Sequence, residues 1–294
     1  MNLRREAFFL SSSGGQRFCI YYPAINAESA TSRGYVIYIH PLAEEMNKAR
    51  RMAALQARAL AAAGYDVLQI DLFGCGDSAG DFGGATWAGW VADVVHGCQW
   101  LHGHTNIHAE HQPSRPIWLW GLRAGCLLAT QVAAQLSVPC NFIFWAPSTS
   151  GKVLLQQFLR LKAAGNMQGG SVKGVTETLR QQLASGNAVE VTGYALSPAL
   201  AHGLENASLD PPQCFSTIER PARLEWFELS TRDDAVLSPV AAKTGAMWSK
   251  AGFNVHAHVV RGPSFWQTSE TEEAPELIAA TVAVMAAFQQ PTTA

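Results

Sequence analysis

The stretch Ile117-Trp118-Leu119-Trp120-Gly121-Leu122-Arg123-Ala124-Gly125 reads as a buried strand, a tight turn held between two glycines, and the opening of a helix. This is the outline of a nucleophile elbow, G-x-S-x-G, in which small flanking residues let the turn pass close to its neighbours and lift the middle side chain above the sheet. Here the middle residue is Arg123. A guanidinium, with a pKa above about 12, stays protonated and cannot attack a carbonyl. The chemistry it retains is recognition of an anion. Other runs fit the same layout: His40-Pro41-Leu42 with Glu44 and Glu45 behind it, Asp71 to Ser78 with Cys75 inside it, and Arg232-Asp233-Asp234.

The elements that position these runs alternate along the chain. Two β-rich runs, 7–10 and 16–22, flank a Ser/Gly turn and predict a hairpin, hence an antiparallel edge. Buried-strand runs follow at Tyr35 to His40, Val67 to Asp71, Ile117 to Trp120 and Asn141 to Trp145. Helices are expected between them at about Glu44 to Ala63, Trp87 to Leu101 and Ala124 to Leu136. This alternation predicts a mostly parallel sheet covered on both faces, with right-handed crossovers. From Ser148 to about Cys214, Gln, Gly and Ala replace the β-branched runs, with helical patterns near 151–164 and 172–184, so an insertion rather than more sheet is expected. Alternation resumes at Arg223 to Leu229 and Asn254 to Val260, and an apolar helix is expected from about Pro275 to Phe288.

Four runs together carry a family resemblance: HPLAEEMNKARRM from His40, DLFGCGDSAGDF from Asp71, WLWGLRAGCLLA from Trp118 and GPSFWQ from Gly262. Over nearly its whole length the chain resembles an α/β-hydrolase, and more narrowly the second of the two hydrolase-like families associated with the exosortase A system of Gram-negative bacteria. The resemblance implies an α/β-hydrolase fold with a helical cap, the core being 1–147 and 215–294 and the cap 148–214. It also implies a setting of exopolysaccharide production and the sorting of surface proteins, without by itself implying a reaction. In the triad, the nucleophile slot holds Arg123, the histidine stretch reads Gly262-Pro263-Ser264-Phe265-Trp266, and the acid position is Asp234, or alternatively Asp233. Ordinary serine-hydrolase chemistry lacks two of its three members.

The oxyanion donors implied by the resemblance are the backbone N–H groups of Leu42 and Ala124. Arg123 would stand beside them at the positive end of a helix, where a cation is disfavoured by up to about 1 kcal/mol, so an anion is expected next to it. Glu44, Glu45 and Asp234 are the protein candidates, and a ligand phosphate or carboxylate is the other. Arg123 either merely pairs with Asp234 or Glu45 and holds a dead pocket shut, or binds a ligand anion, and both can hold in different states. Glu45 or Asp234 would act as base in an enzyme with an altered site. The rival expectation is a pseudoenzyme, an accessory protein that binds an acyl or anionic ligand. His40, Cys75 and Trp266 complete the candidate lining, Trp266 adding bulk where the triad would end.

The remaining signals are plainer. With 21 basic and 23 acidic side chains the net charge is −2, which argues against a nucleic-acid binder. Charged residues are only 15% of the chain, against roughly 25% in ordinary domains, so much of the chain is buried or presents apolar surface. The run Gly74 to Gly80 has the wrong spacing for a dinucleotide loop. His96, His102, His104, His108 and His111 lack regular ligand spacing, and the six cysteines show no C-x-x-C pattern, so neither a metal nor another cofactor is expected. No apolar run reaches the roughly 18 residues of a membrane span. The expectation is a soluble cytoplasmic protein whose partners are a small acyl or anionic ligand and, at most, a second copy as a homodimer.

Overall fold

Strand β3 (Tyr35–Ile39) and strand β5 (Ile117–Leu122) are buried at every position, so each must be covered on both faces, and the helices supply that cover. The computed structural model describes residues 5–25, 32–105, 115–165, 172–212 and 221–288. Between β3 and β5 run α1 (Glu44–Ala62), β4 (Asp66–Ile70), a short 3-10 turn and α2 (Trp87–Thr105). After β5 come α3 (Ala124–Ala133) and β6 (Cys140–Trp145), and the chain closes with β9 (Arg223–Ser230), α7 (Pro239–Lys250), β10 (Asn254–Arg261) and α8 (Pro275–Ala286). An N-terminal hairpin of β1 (Glu6–Ser12) and β2 (Gly15–Tyr22) forms the antiparallel edge.

The eight-stranded sheet has the order β1-β2-β4-β3-β5-β6-β9-β10. Strands β1, β2 and β4 pair antiparallel, and every pair from β4 onward is parallel. Alternate strand residues split into two layers. Trp118, Trp120 and Trp145 pack with α1 and α8, while Ile117, Leu119 and Phe144 pack with α2, α3 and Trp248 of α7. The sequence runs from β3 to β4 on one side and then places β5 on the other side of β3. Strand order therefore reverses between β3 and β5, and a crevice opens at the carboxyl ends of such neighbours.

The hairpin is pinned by a buried ion pair. Arg17 Nε lies 2.8 Å from Asp93 Oδ1 of α2, and the other Arg17 nitrogens donate to the Ser13 and Gly15 carbonyls. The N–H of Phe73 donates to the second Asp93 oxygen at 2.9 Å.

Between β6 and β9 the chain leaves the sheet through α4 (Gly151–Gly165), α5 (Val172–Ala184), a hairpin of β7 (Val189–Val191) and β8 (Tyr194–Leu196), and α6 (Pro198–Glu205). The hairpin and α6 escape the sequence reading, because three-residue strands carry too little alternation to register. The ends of this excursion are stitched together, Gly151 N to Ala207 O and Leu209 N to Thr149 O. A Cβ on Gly151 would come within 1.8 Å of the Leu204 carbonyl oxygen, so only glycine lets α4 and α6 approach this closely. Helix α3 ends three residues earlier than expected, since Gln135 and Leu136 donate to carbonyls only three residues back in a tightened last turn. His108, His111, Cys214 and most of the expected Gly165 to Gly170 loop lie outside the described residues.

Candidate ligand-binding site at the β5 elbow

Arg123 stands between β5 and α3 with φ 54° and ψ −111°, a left-handed backbone costing a non-glycine residue about 1–3 kcal/mol. The two flanking glycines make it feasible. A Cβ on Gly121 would fall 2.6 Å from the Cys126 nitrogen, and one on Gly125 would fall 2.0 Å from the Ile39 carbonyl oxygen. The turn is held from below by Arg123 N–H donating to Trp145 O at 3.1 Å. A second elbow stands beside it. Ala43, between β3 and α1, has φ 52° and ψ −126°, and Ile39 of β3 pairs with Gly121 of β5. The reversal of strand order thus puts two helix N-termini side by side. Ala124 opens α3, so its N–H has no intrahelical partner, and Leu42 precedes the Ala43 elbow.

The positive end of α3 attracts an anion, and among the expected carboxylates the fold delivers Glu45. Arg123 Nε lies 3.5 Å from Glu45 Oε1, with the side chains 15% and 19% exposed. Arg123 Nη2 donates to Gln157 Oε1 of α4 at 3.2 Å, and its guanidinium lies 5.8 Å from the centre of the Trp266 ring. Burial raises the Glu45 carboxyl above its ordinary value, with Arg123 pulling the other way. Glu44, one residue earlier, turns aside and accepts from Asn47 and from the Tyr194 hydroxyl of β8.

Asp234 is not brought to Arg123. It pairs with Arg232 two residues away, and the two side chains are 78% and 74% exposed; Asp233, in the same exposed loop, pairs with Arg261 at the end of β10. The sequence places this acid correctly after β9, but a local arginine takes it. His40 and Cys75 also stay out of the cavity. The His40 ring is buried between the Pro41 carbonyl at Nδ1 and the Leu72 N–H at Nε2, which fixes a neutral ring, and burial lowers its pKa. Burial pushes the Cys75 thiol up to about 12, so it remains protonated and unreactive near neutral pH. Both serve the packing beneath the site.

Beside the Arg123–Glu45 pair, with Glu45 in its wall, lies a cavity of about 370 Å³. Leu42, Glu44, Glu45 and Lys48 form one wall, Trp266 and Gln267 another, and Leu154, Gln157, Phe158 and Leu161 of α4 the third. The α4 residues recur at i, i+3, i+4 and i+7, a single helical face. That spacing is visible in the sequence, but the partner of the face is not, so the α4 wall, Lys48 and Gln267 escape sequence reasoning. Among the described residues no three His, Cys, Asp or Glu side chains gather as metal ligands, and no helix is long and apolar enough to cross a membrane.

A strand order reversing at β3 and β5, parallel crossovers, an antiparallel first edge and a strained strand-to-helix elbow define an α/β-hydrolase fold. A family model described as serine aminopeptidase, S33 matches residues 30–207, and the chain belongs to that family. Solved structures share the fold over nearly their full length. Est1E from Butyrivibrio proteoclasticus, solved with ferulic acid bound, superposes with a TM-score of 0.61 at 13% identity, covering 95% of this chain and 98% of that one. A highly thermostable carboxyl esterase from Bacillus coagulans, in complex with glycerol, gives 0.60 at 13% identity over 97% and 98%. A soluble variant of the monoglyceride lipase of Saccharomyces cerevisiae, in complex with a substrate analog, gives 0.58 at 16% identity over 96% and 94%. No curated protein sequence matches the chain.

Proposed function

We propose that this α/β-hydrolase-fold protein binds a ligand with an apolar body and an anionic head, such as an acyl carboxylate, in the cavity above the β5 elbow. Serine-hydrolase turnover is not part of this reading. The observation that carries it is Arg123 at the elbow. The backbone keeps the strained geometry that presents a nucleophile, yet the side chain presented is a permanent cation, set against Glu45, Gln157 and Trp266 of the wall of a largely apolar cavity. Trp266 stands where a histidine would have to activate an attacking group, and Asp234 is engaged by Arg232 in solvent. The N–H groups of Leu42 and Ala124 are the further donors to the anionic head. Residues 148–214 act as the cap over this cavity, α4 supplying its inner face.

The setting we propose is exopolysaccharide production and exosortase A surface-protein sorting. Its support is the four sequence runs, of which HPLAEEMNKARRM and WLWGLRAGCLLA build the two elbows and GPSFWQ supplies the Trp266 wall. The test is titration of decanoate into the wild type and Arg123→Ala, beside a panel of acyl esters and thioesters. Binding that is lost in Arg123→Ala without turnover supports the reading, and equal affinity in both proteins refutes it.

One observation favours a second reading, hydrolysis by an altered site. Glu45 Oε2 is buried and has no hydrogen-bond partner among the described residues, as a base awaiting a water would be. Ester turnover abolished by both Arg123→Ala and Glu45→Gln would select it.

A further inference from the structure

Arg123 and Glu45 form a loose ion pair. Their closest atoms are 3.5 Å apart, and neither Arg123 Nε nor Glu45 Oε2 has a hydrogen-bond partner among the described residues, although both atoms are closed off from solvent. One turn along α1, Lys48 lines the same cavity, and among the described residues no carboxylate pairs with it. The cavity wall therefore carries Lys48, Glu45 and a Glu44 already engaged by Asn47 and Tyr194, and Arg123 stands behind that wall, screened from the cavity by Glu45, Gln157 and Trp266. Resting on the reading of this cavity as a ligand site, we propose that a carboxylate-headed apolar ligand binds by displacing Glu45 from Arg123, and that Glu45 takes a proton from solvent as it is displaced. Ligand capture and proton uptake are then one event.

The reason is charge balance. Before binding, Arg123 and Lys48 offset Glu45 and Glu44, and Glu44 is already held by Asn47 and Tyr194. A ligand carboxylate adds a second anion beside Glu45 in a cavity walled by Leu42, Leu154, Phe158 and Trp266, and two carboxylates at that proximity do not both stay ionised. Burial already favours the neutral form of Glu45. The other groups around it do not compete for that proton. Gln157 of α4 and Gln267 after β10 are neutral, and Lys48 and Arg123 are cations. On β3, burial raises the Tyr38 hydroxyl and keeps it protonated, while His40 is occupied by Pro41 and Leu72. The complex thus holds more protons than the free protein. Affinity rises as pH falls from the Glu45 pKa in the complex to its value in the free protein, and is flat below that.

Calorimetric titration of decanoate into the full chain tests this, run in two buffers of different protonation enthalpy from about pH 6 to 8, where the ligand carboxylate is ionised. Wild type should take up close to one proton per decanoate, and its affinity should rise by up to about tenfold per unit of acidification. Glu45→Gln should bind decanoate with no uptake and a flat profile, and wild type should bind methyl decanoate, which lacks the anionic head, far more weakly and with no uptake. Decanoate binding without proton uptake in wild type overturns the proposal while leaving the ligand site standing. The same uptake in Glu45→Gln, or with methyl decanoate, also overturns it. Failure of wild type to bind decanoate at any pH overturns both the proposal and the reading of the cavity.

Discussion

Arg17–Asp93 and Arg123–Glu45 are both arginine–carboxylate pairs joining distant parts of the chain, yet they are built differently. The first is 3% and 2% exposed with its closest atoms 2.8 Å apart, and its remaining polar atoms are taken by backbone groups of the hairpin turn and by the Phe73 N–H. The second is looser at 3.5 Å and borders a cavity, and its Glu45 Oε2 is buried without a hydrogen-bond partner among the described residues. A close, fully buried pair fixes structure because every alternative leaves a buried charge alone. A looser pair beside a cavity can exchange one partner for a ligand at small cost. The same two side-chain types thus serve as a rivet at the sheet edge and as a gate at the switch point.

Breaking the rivet should have the largest effect. Asp93→Ala strands Arg17 and removes the acceptor of the Phe73 N–H, which should cost about 3–5 kcal/mol, read as a lowered Tm. Gly125→Ala comes next. Its methyl must displace the Ile39 carbonyl, so about 1–3 kcal/mol of stability should be lost together with decanoate binding, as the Arg123 turn is pushed out of place. Arg123→Ala should lower stability by no more than about 1 kcal/mol, because Glu45 can protonate when left alone, while ligand binding is lost. A fall in Tm as large as that of Asp93→Ala would make Arg123–Glu45 a second rivet and remove the contrast.

The smallest effect concerns pH. Glu45 has a higher pKa folded than unfolded, so its favourable contribution is complete below its ordinary value of 4.5 and is lost as pH rises through the folded value. Glu45→Gln avoids that loss. Its Tm relative to wild type should be highest at neutral pH, and the advantage should vanish on acidification below the ordinary value. Thermal melts of both proteins across pH would show a constant difference if Glu45 titrated as an ordinary exposed acid.

The fold was legible because its central strands are unbroken apolar runs separated by helix-length segments. The elbow was legible because two glycines bracket one residue. The site was legible only in part. The expected anion beside Arg123 is present, but three acids qualified in sequence, and the choice among them depended on where crossovers and loops carry each. Asp234 is lost to Arg232, two residues away, and His40 is consumed by backbone groups of its own strand end and of the β4 end. The β7–β8 hairpin is too short to leave a periodic signal, yet Tyr194 on it holds Glu44, so that of the two carboxylates in the cavity wall Glu45 is the one that meets Arg123.

The sequence by itself determined the alternation of strands and helices, the strained turn between Gly121 and Gly125, and the presence there of a cation that cannot be a nucleophile. These are properties of short segments, set by side-chain volume, backbone freedom and proton affinity. Only the tertiary structure decided that Glu45 meets Arg123, that Lys48 lines the cavity with no carboxylate paired to it among the described residues, and that the Leu154-to-Leu161 face of α4 closes the cavity. Those relations come from the reversal of strand order between β3 and β5, which sets the first turn of α1 beside the first turn of α3. No local pattern encodes that neighbourhood, since it follows from burying two faces of one sheet at once.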